Sequence, residues 1–155
     1  MKVDYAKIIK LLSEAKHIYI IGDGGSAALS EHFACDLLKN AHLPAISLCS
    51  NSAILTAIAN DFSFDNVFLL QLQYLFQPED LLVVFSTSGN SPNLVKAMTV
   101  VGKSIVVVGN KHSILGRLGS LSHNVIVVEG KDQMEKEDNM LKLCHEISRR
   151  LIAVI

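Results

Sequence analysis

Residues 18–38, IYIIGDGGSAALSEHFACDLL, place an apolar run, a glycine-rich turn and an amphipathic stretch one after another. The run at 18–21 predicts a buried strand, and the stretch after the turn has the apolar spacing of a helix. The turn itself has three interpretations: a dinucleotide fingerprint, a cradle for another phosphate, or a tight strand-to-helix connection. The remainder of the chain decides between them.

The alternation of strand and helix continues along the whole chain. Near-continuous runs of valine, isoleucine and leucine are typical of parallel strands covered on both faces, and such runs occur at 17–21, 45–49, 80–85, 104–108 and 124–128. Stretches with helical spacing occur at 4–15, 26–40, 51–59, 65–77, 92–102, 113–119 and from 135 to the C-terminus. This order predicts an α/β fold, a three-layer α/β/α sandwich around a five-stranded parallel sheet.

The composition favours one domain and argues against several classes of protein. The 155 residues carry a formal net charge of −1, which gives no broad attraction to nucleic acid or to an anionic membrane. No apolar run approaches the roughly 18 residues that cross a bilayer. Three cysteines without a CxxC pair favour reduced thiols in a cytoplasmic protein. Burial is the expected role of each, and metal ligation by Cys35 and Cys144 is the alternative.

Polar, glycine-rich loops follow the first three predicted strands, with GDGGS at 22–26, CSNS at 49–52 and STSGNS at 86–91. Ligands of parallel sheets bind beyond the carboxyl ends of the strands, so these loops predict one site at that edge. A dinucleotide site also needs an acidic residue about 20 positions after the glycine turn. The second strand ends in SLCSN, without Asp or Glu, so no nucleotide cofactor is expected.

The loop after the third strand is the best candidate for a phosphate site. Ser91 and Pro92 predict a helix start, with Ser at the N-cap and Pro at the first helical position. Free N–H groups and the dipole of a helix start favour anions. The loop has neither Lys nor Arg, so a phosphate monoester held by hydroxyl and amide groups suits it better than a nucleotide triphosphate. Its hydroxyls belong to Ser86, Thr87, Ser88 and Ser91.

Taken together, four segments carry a resemblance to a known family. GDGGS, EHFACDLL at 31–38, NDFSFD at 60–65 and above all FSTSGNSPN at 85–93 resemble the sugar-isomerase (SIS) domain family, in its phosphoheptose isomerase branch. The resemblance implies a single SIS domain over 1–155, with a short N-terminal helix and a long C-terminal helix. It further implies interconversion of sedoheptulose 7-phosphate and an aldoheptose 7-phosphate by an enzyme that is usually a homotetramer.

The resemblance also implies which residues contact the sugar phosphate. The loop at 86–91, which we call the hydroxyl loop, holds the phosphate. The glycine turn lies against the sugar, and two residues of the next loop also reach the sugar. The implied substrate-binding residues are Asp23, Gly24, Gly25, Ser26, Asn60, Asp61, Ser86, Thr87, Ser88, Ser91 and Glu137.

A possible zinc site is implied by the same resemblance. His32 and Asp36 lie four residues apart, on one face of a helix, and with Glu137 and His145 they match the zinc-binding positions of the family. Two imidazoles and two carboxylates suit that ion. Glu137 and His145 are separated by about 12 Å of regular helix, so they share one ion only through an irregular helix start or from different subunits. Asp36 is the implied carbon base, and His145 the acid and base at oxygen.

Three positions depart from the family pattern, because Asp36 replaces Glu, Asp23 replaces Asn and Glu137 replaces Gln. The shorter Asp36 places a base about 1 Å further from its carbon. A non-catalytic sugar-phosphate-binding or regulatory protein of the same fold is therefore the alternative function. An NAD-binding protein is a third hypothesis, and it rests on the glycine match alone.

The apolar surplus predicts a homo-oligomer, which together with the family resemblance indicates a homotetramer, or at least a dimer. Half of the residues are hydrophobic, and both terminal helices carry apolar stripes. The residues expected to pack between subunits are Ile8, Ile9, Leu11, Leu12, Ile147, Leu151, Ile152 and Ile155.

Overall fold

One parallel sheet between two layers of helices forms the protein, as seen in a computed structural model that describes residues 3–122 and 124–154. Among these residues the sheet has five strands, which confirms the predicted α/β/α sandwich. The strands are β1 (Ile18–Ile21), β2 (Ala45–Ser47), β3 (Leu81–Ser86), β4 (Ser104–Val108) and β5 (Asn124–Val127).

Seven α-helices accompany the sheet within the described ranges, and two of them differ from the prediction. The stretch predicted at 65–77 divides into a 3₁₀ turn at Phe64–Asn66 and a short helix that ends before Pro78, because a proline disfavours helix at the preceding residue. The stretch predicted at 92–102 tightens to a 3₁₀ turn at Met98–Val100. The helices are α1 (Tyr5–Glu14), α2 (Gly25–Ala41), α3 (Ser52–Asp61), α4 (Leu69–Leu75), α5 (Pro92–Ala97), α6 (Ile114–Ser122) and α7 (Gln133–Ile152).

The strand order β2-β1-β3-β4-β5 creates a switch point between β1 and β3. The helix that follows β1 packs with α1 and α7 on one face of the sheet, whereas the helices after β2, β3 and β4 pack on the other. The chain therefore leaves β1 and β3 in opposite directions, and a crevice opens beyond their carboxyl ends. This is the place where sheets of this kind bind ligands.

Two apolar cores hold the layers together, one on each face of the sheet. Alternate residues of a strand point to opposite faces, so Ile18 and Ile20 of β1 enter the core shared with α2 and α7, while Tyr19 and Ile21 enter the other. All four residues of β1 are buried. This two-sided burial is the reason that the strands read as continuous apolar runs in the sequence.

The terminal helices pack differently from the prediction. Most of the residues expected between subunits lie instead in or against this chain's own core: Ile8, Ile9, Leu11, Leu12, Ile147 and Leu151. That assignment was wrong because the apolar stripes of α1 and α7 meet each other and α2 within one chain. Ile152 is about half exposed, and Ile155 lies outside the described residues.

An exposed apolar surface lies elsewhere, on α3 and α4. Among the ten residues of α3 only Ile58 is buried, although most of this helix is apolar. The side chains of the two helices border a groove of about 600 Å³. We call this the α3–α4 surface, and its exposed large residues are Ile54, Phe62, Tyr74 and Leu75. None of the helices in the described part of the chain is long and apolar enough to cross a membrane.

Candidate active site

A small polar hollow occupies the crevice between β1 and β3. Its volume is about 160 Å³, and its walls come from the glycine turn, the loop after β3 and the first residue of α7. Ser86 Oγ accepts a hydrogen bond from the Gly89 N–H at 2.9 Å, which curls the loop around the hollow. Gly89 has φ of 70°, a conformation that favours glycine. The lining residues are Asp23, Ser26, Phe85, Ser86, Thr87, Ser88, Ser91 and Gln133.

All four hydroxyl side chains that the sequence assigns to a phosphate line this hollow. Ser91 is the N-cap of α5 and Pro92 follows it as the first helical residue, as predicted. The Ser91 hydroxyl, however, makes no capping hydrogen bond, so its expected role in stabilising the helix start is wrong. That hydroxyl is therefore available to a ligand. Because α5 has only six residues, the hydroxyls rather than a helix dipole are the main donors here.

The glycine turn forms the opposite wall. Gly24 is the N-cap of α2 with φ of 56°, which a residue with a side chain rarely adopts. The carboxylate of Asp23 is fixed from across the crevice, since Oδ1 accepts a hydrogen bond from Nδ2 of Asn93 at 2.8 Å. Asn93 is buried near the start of α5. The two walls of the hollow are thus joined directly.

A group of two histidines and one carboxylate lies where α2 packs against α7. Nε2 of His32 is 2.9 Å from Nε2 of His145, so one ring donates a proton and the other accepts it. Oδ2 of Asp36 lies 3.4 Å from Nε2 of His32 and 3.9 Å from Nε2 of His145. Oδ1 of Asp36 accepts a hydrogen bond from Asn40 at 3.2 Å, which orients the carboxylate toward the rings.

This group has the donor atoms of a metal site. His32, Asp36 and His145 each offer one ligand atom, and these atoms lie within 4.8 Å of one another. Two imidazole nitrogens and a carboxylate oxygen form a ligand set that suits zinc. Neither candidate cysteine joins this group in the described part of the chain. Cys35 is exposed, and burial raises the pKa of the Cys144 thiol, with a further contribution from the charge of Asp36.

Glu137 lies apart from these three residues. The helix α7 is continuous from Gln133 onward, so the irregular start that would bring Glu137 to the ion of His145 is not present. Its carboxylate instead covers the backbone of Gly25, where an added Cβ would stand 2.5 Å from Oε2 of Glu137. Nε2 of Gln133 donates a hydrogen bond to Oε1 of Glu137 at 3.3 Å. The implied metal role of Glu137 thus lacks support within one chain.

The Gln133–Glu137 pair stands between the polar hollow and the histidines. A second hollow of about 250 Å³ begins on the other side of Gly25, and its walls include both Glu137 and His32. A ligand whose one end fills the polar hollow therefore passes Gly25 and Glu137 on the way to the His–Asp group. This arrangement fits an extended molecule with an anionic end and a reactive end.

Asn60 and Asp61 are not brought to either hollow. They are the last two residues of α3 rather than part of a loop, and both are exposed. Nδ2 of Asn60 donates to Oδ1 of Asp61 at 2.9 Å. Their implied contact with the sugar finds no support in one chain, because neither residue lines either of the two hollows.

Two residues of the site were missed by sequence reasoning. Gln133 lines the polar hollow, and Asn93 fixes Asp23. Asn93 is the last residue of the FSTSGNSPN motif, and the need of its side-chain amide for a hydrogen-bond partner was the available signal. Gln133 lies four residues before Glu137, so helical spacing offered the signal in that case.

Comparison with known proteins identifies the family. The family model described as the SIS domain matches residues 5–108. A curated phosphoheptose isomerase from Maridesulfovibrio salexigens is 39% identical over 137 residues, which cover 84% of this chain and 67% of the relative. Another, from Nitratidesulfovibrio vulgaris, is 44% identical over 104 residues, which cover 63% of this chain and half of the relative.

Solved structures agree with these relatives. The phosphoheptose isomerase from Neisseria gonorrhoeae superposes with a TM-score of 0.83 at 28% identity, over 96% of this chain and 83% of that one. The fold of a phosphoheptose isomerase from Francisella tularensis also matches, with a TM-score of 0.86 at 24% identity, over 97% of this chain and 85% of the other. From the family match, the relatives and the shared fold together, the chain belongs to the SIS domain family.

Proposed function

We propose that the protein is an aldose–ketose isomerase that converts sedoheptulose 7-phosphate to D-glycero-D-manno-heptose 7-phosphate. The observation that carries this proposal is the His32–Asp36–His145 group, whose His32 lines a hollow across Gly25 from the one lined with hydroxyls. The phosphoheptose isomerases that are 39% and 44% identical support the same reaction class.

Substrate binding begins with the phosphate in the polar hollow. Serine and threonine hydroxyls donate hydrogen bonds to its oxygens, and such charge-assisted bonds are stronger than neutral ones. The sugar chain then extends past Gly25 and Glu137, where hydroxyls of the sugar are within reach of the Glu137 carboxylate. This placement brings the carbonyl end of the ketose to the His–Asp group.

Isomerisation transfers one proton between the two carbons at that end. The Asp36 carboxylate removes the proton from C1 of the ketose and returns it to C2, through an enediol intermediate. His145 gives a proton to the C2 oxygen as the enediol forms and takes the proton of the C1 oxygen as the aldehyde forms, so no net proton is consumed. His32 holds both partners, since its Nε2 lies within 3.4 Å of Asp36 and 2.9 Å of His145.

Zinc is the proposed cofactor, held by His32, Asp36 and His145. When bound, the ion supplies a positive charge that polarises the carbonyl of the sugar. With the ion bound, Asp36 and His145 would each use one atom as a ligand, so the second carboxylate oxygen of Asp36 and the second ring nitrogen of His145 would carry the proton transfers.

A homotetramer in the cytoplasm is the proposed working state. Support for assembly comes from the α3–α4 surface, where Tyr74 is 85% exposed beside other apolar side chains. Asn60 and Asp61 end α3 next to this surface, so a neighbouring subunit is the proposed source of their contact with the sugar. Light scattering at micromolar concentration tests this: Tyr74→Lys is expected to lower the mass, and a monomeric wild type would contradict the proposal.

The reaction is tested by incubating the protein with sedoheptulose 7-phosphate in deuterium oxide. Formation of the aldoheptose, with deuterium at C2 of the product and C1 of the remaining ketose, is the expected result. Binding of the sugar phosphate without exchange at either carbon would instead identify a non-catalytic sugar-phosphate-binding protein. Absence of binding would reject both functions.

A further inference from the structure

The polar hollow has no positively charged side chain in its described lining to balance the charge of a phosphate. Among the described residues that line it there is one carboxylate, Asp23, and no cationic side chain. A phosphate monoester brings roughly 1.5 to 2 further negative charges near pH 7. A cation close to the hydroxyl loop would offset this repulsion and strengthen binding.

Lys136 is the cationic side chain that lies against the hydroxyl loop. It follows Gln133 by three residues on α7, so both side chains project from the same face of the helix. Gln133 lines the hollow. The side chain one turn further along that face is therefore directed toward the same edge of the sheet.

Two glycines leave a path for the aliphatic stem of Lys136. A Cβ added at Gly130 would stand 2.8 Å from Cγ of Lys136, and one added at Gly109 would stand 2.8 Å from Cδ and 3.3 Å from Cε. The stem thus runs from Gly130 to Gly109. A larger residue at either position would occupy the space that the stem takes.

Gly109 borders the hydroxyl loop. Its N–H donates a hydrogen bond to the carbonyl oxygen of Ser86 at 3.3 Å, and a Cβ at this position would stand 2.5 Å from the carbonyl oxygen of Thr87. The far end of the Lys136 stem and the backbone of Thr87 therefore meet over the same glycine.

The ammonium of Lys136 is not committed to another acceptor. Its Nζ makes no hydrogen bond or ion pair with any residue that the structure describes, whereas Lys96 on α5 pairs with Asp65 at 3.5 Å. Lysine ammonium groups are mobile point charges on flexible stems and bind phosphate well in that form.

We propose that Lys136 binds the phosphate of the ligand and supplies the positive charge that the Ser86–Ser91 loop lacks. The proposal rests on the proposed function, because it assigns the phosphate of that substrate to the polar hollow. It adds a binding residue from α7 to a loop that otherwise acts through neutral hydroxyls.

Calorimetric binding of inorganic phosphate tests the proposal on four forms of the chain. Lys136→Met keeps an aliphatic stem over the two glycines but removes the charge, and Lys136→Arg restores the charge. Lys142→Met removes an exposed lysine from the same helix and serves as the matched control. Loss of one charged hydrogen bond is expected to weaken phosphate binding about tenfold or more in Lys136→Met.

Arginine at position 136 and the Lys142→Met control are expected to bind as wild type does, within about threefold. The difference between wild type and Lys136→Met should also shrink as salt is raised, because screening weakens an exposed ion pair. Equal affinity of wild type and Lys136→Met, with equal thermal stability, would overturn the proposal.

Failure of the proposed function gives a different result. Turnover of sedoheptulose 7-phosphate is measured on the same wild-type preparation. Phosphate binding that depends on Lys136, without turnover, rejects the isomerase and retains the lysine. Turnover with phosphate binding indifferent to position 136 rejects the lysine and retains the isomerase, and a wild type that binds no phosphate rejects the lysine as well.

Discussion

Nδ2 of Asn93 donates a hydrogen bond to Oδ1 of Asp23 over 2.8 Å, although 70 positions separate the two residues. Oδ1 of Asn93 accepts the N–H of Leu94 at 3.0 Å, which fixes the amide so that its NH₂ group faces the carboxylate. The bond joins the turn after β1 to the helix after β3. One buried amide therefore joins the two walls of the polar hollow.

Replacing this amide by a carboxylate is expected to make stability depend on pH. In Asn93→Asp two carboxylates face each other in a half-buried site, so the pKa of one of them rises above its unfolded value. The variant should be about 1–3 kcal/mol less stable than wild type at pH 7. Since protonation removes the repulsion, the deficit should shrink as pH falls toward the raised pKa.

Urea unfolding at pH 7 and pH 4.5 measures this effect. Asn40→Asp is the matched control, because Asn40 donates to Asp36 in an equivalent side-chain pair that is exposed to water. Its cost should be small, as for other exposed charges. A deficit in Asn93→Asp that is constant with pH would contradict the electrostatic explanation.

The hydroxyl loop predicts a loss of phosphate affinity in alanine variants. Ser88→Ala and Ser91→Ala each remove a donor from the polar hollow, so the double variant should bind sugar phosphate more weakly by a few kcal/mol. Because the Ser91 hydroxyl makes no capping bond, the stability of Ser91→Ala should change little. Calorimetry with Ser120→Ala as a distant hydroxyl control measures the change, and equal affinities would place the phosphate elsewhere.

The proposed role of Asp36 predicts that its replacement affects turnover but not phosphate affinity. Asp36→Asn should lower turnover by about 10²–10⁴, the usual loss for one acid or base group, while phosphate affinity stays near that of wild type. If wild type is inactive because its carboxylate is one methylene short, Asp36→Glu should gain activity. Full turnover in Asp36→Asn would show that another group is the base, and Glu137 would be the next residue to test.

Alanine substitution is expected to lower the stability of the protein at one glycine of the first turn and to leave it unchanged at another. At Gly22 an added Cβ would stand 2.5 Å from the backbone oxygen of Ser26, so Gly22→Ala should cost about 1–3 kcal/mol. At Gly25 it would meet only the mobile end of Glu137, and alanine is the better helix former. Gly25→Ala should therefore keep its stability and displace the Glu137 carboxylate.

Thermal unfolding of both variants, together with the affinity for sugar phosphate, checks this contrast. A large stability cost in Gly25→Ala that Glu137→Ala relieves would mean that Gln133 holds the Glu137 carboxylate rigidly. Equal costs in the two glycine variants, without such relief, would contradict the assignment.

The sheet was predictable because its strands are buried on both faces and therefore carry unbroken apolar runs. The edge of the sheet where the polar hollow lies was predictable for a related reason, since Ser86 and Gly22 interrupt those runs at the strand ends. The pairing of His32 with Asp36 followed from helical spacing alone. These features depend on neighbours in sequence, and sequence patterns report such neighbours well.

Contacts between distant segments were harder to predict. His145 reaches His32 because α2 and α7 pack side by side, which only the family resemblance suggested in advance. The same packing buries, within one chain, the apolar stripes that were assigned to subunit contacts. Glu137 was assigned to the metal from the family resemblance, and the sequence does not reveal that its carboxylate lies over Gly25 instead.

The proposed phosphate-binding loop and the proposed proton-transferring group lie on different structural units, the β3–α5 loop and the α2–α7 helix pair. Mutational drift can therefore affect one without the other. A duplicated gene that lost Asp36 or His145 would still encode a folded receptor for the same metabolite, and such a receptor can acquire a signalling role. In this architecture an enzyme and a metabolite sensor are separated by very few substitutions.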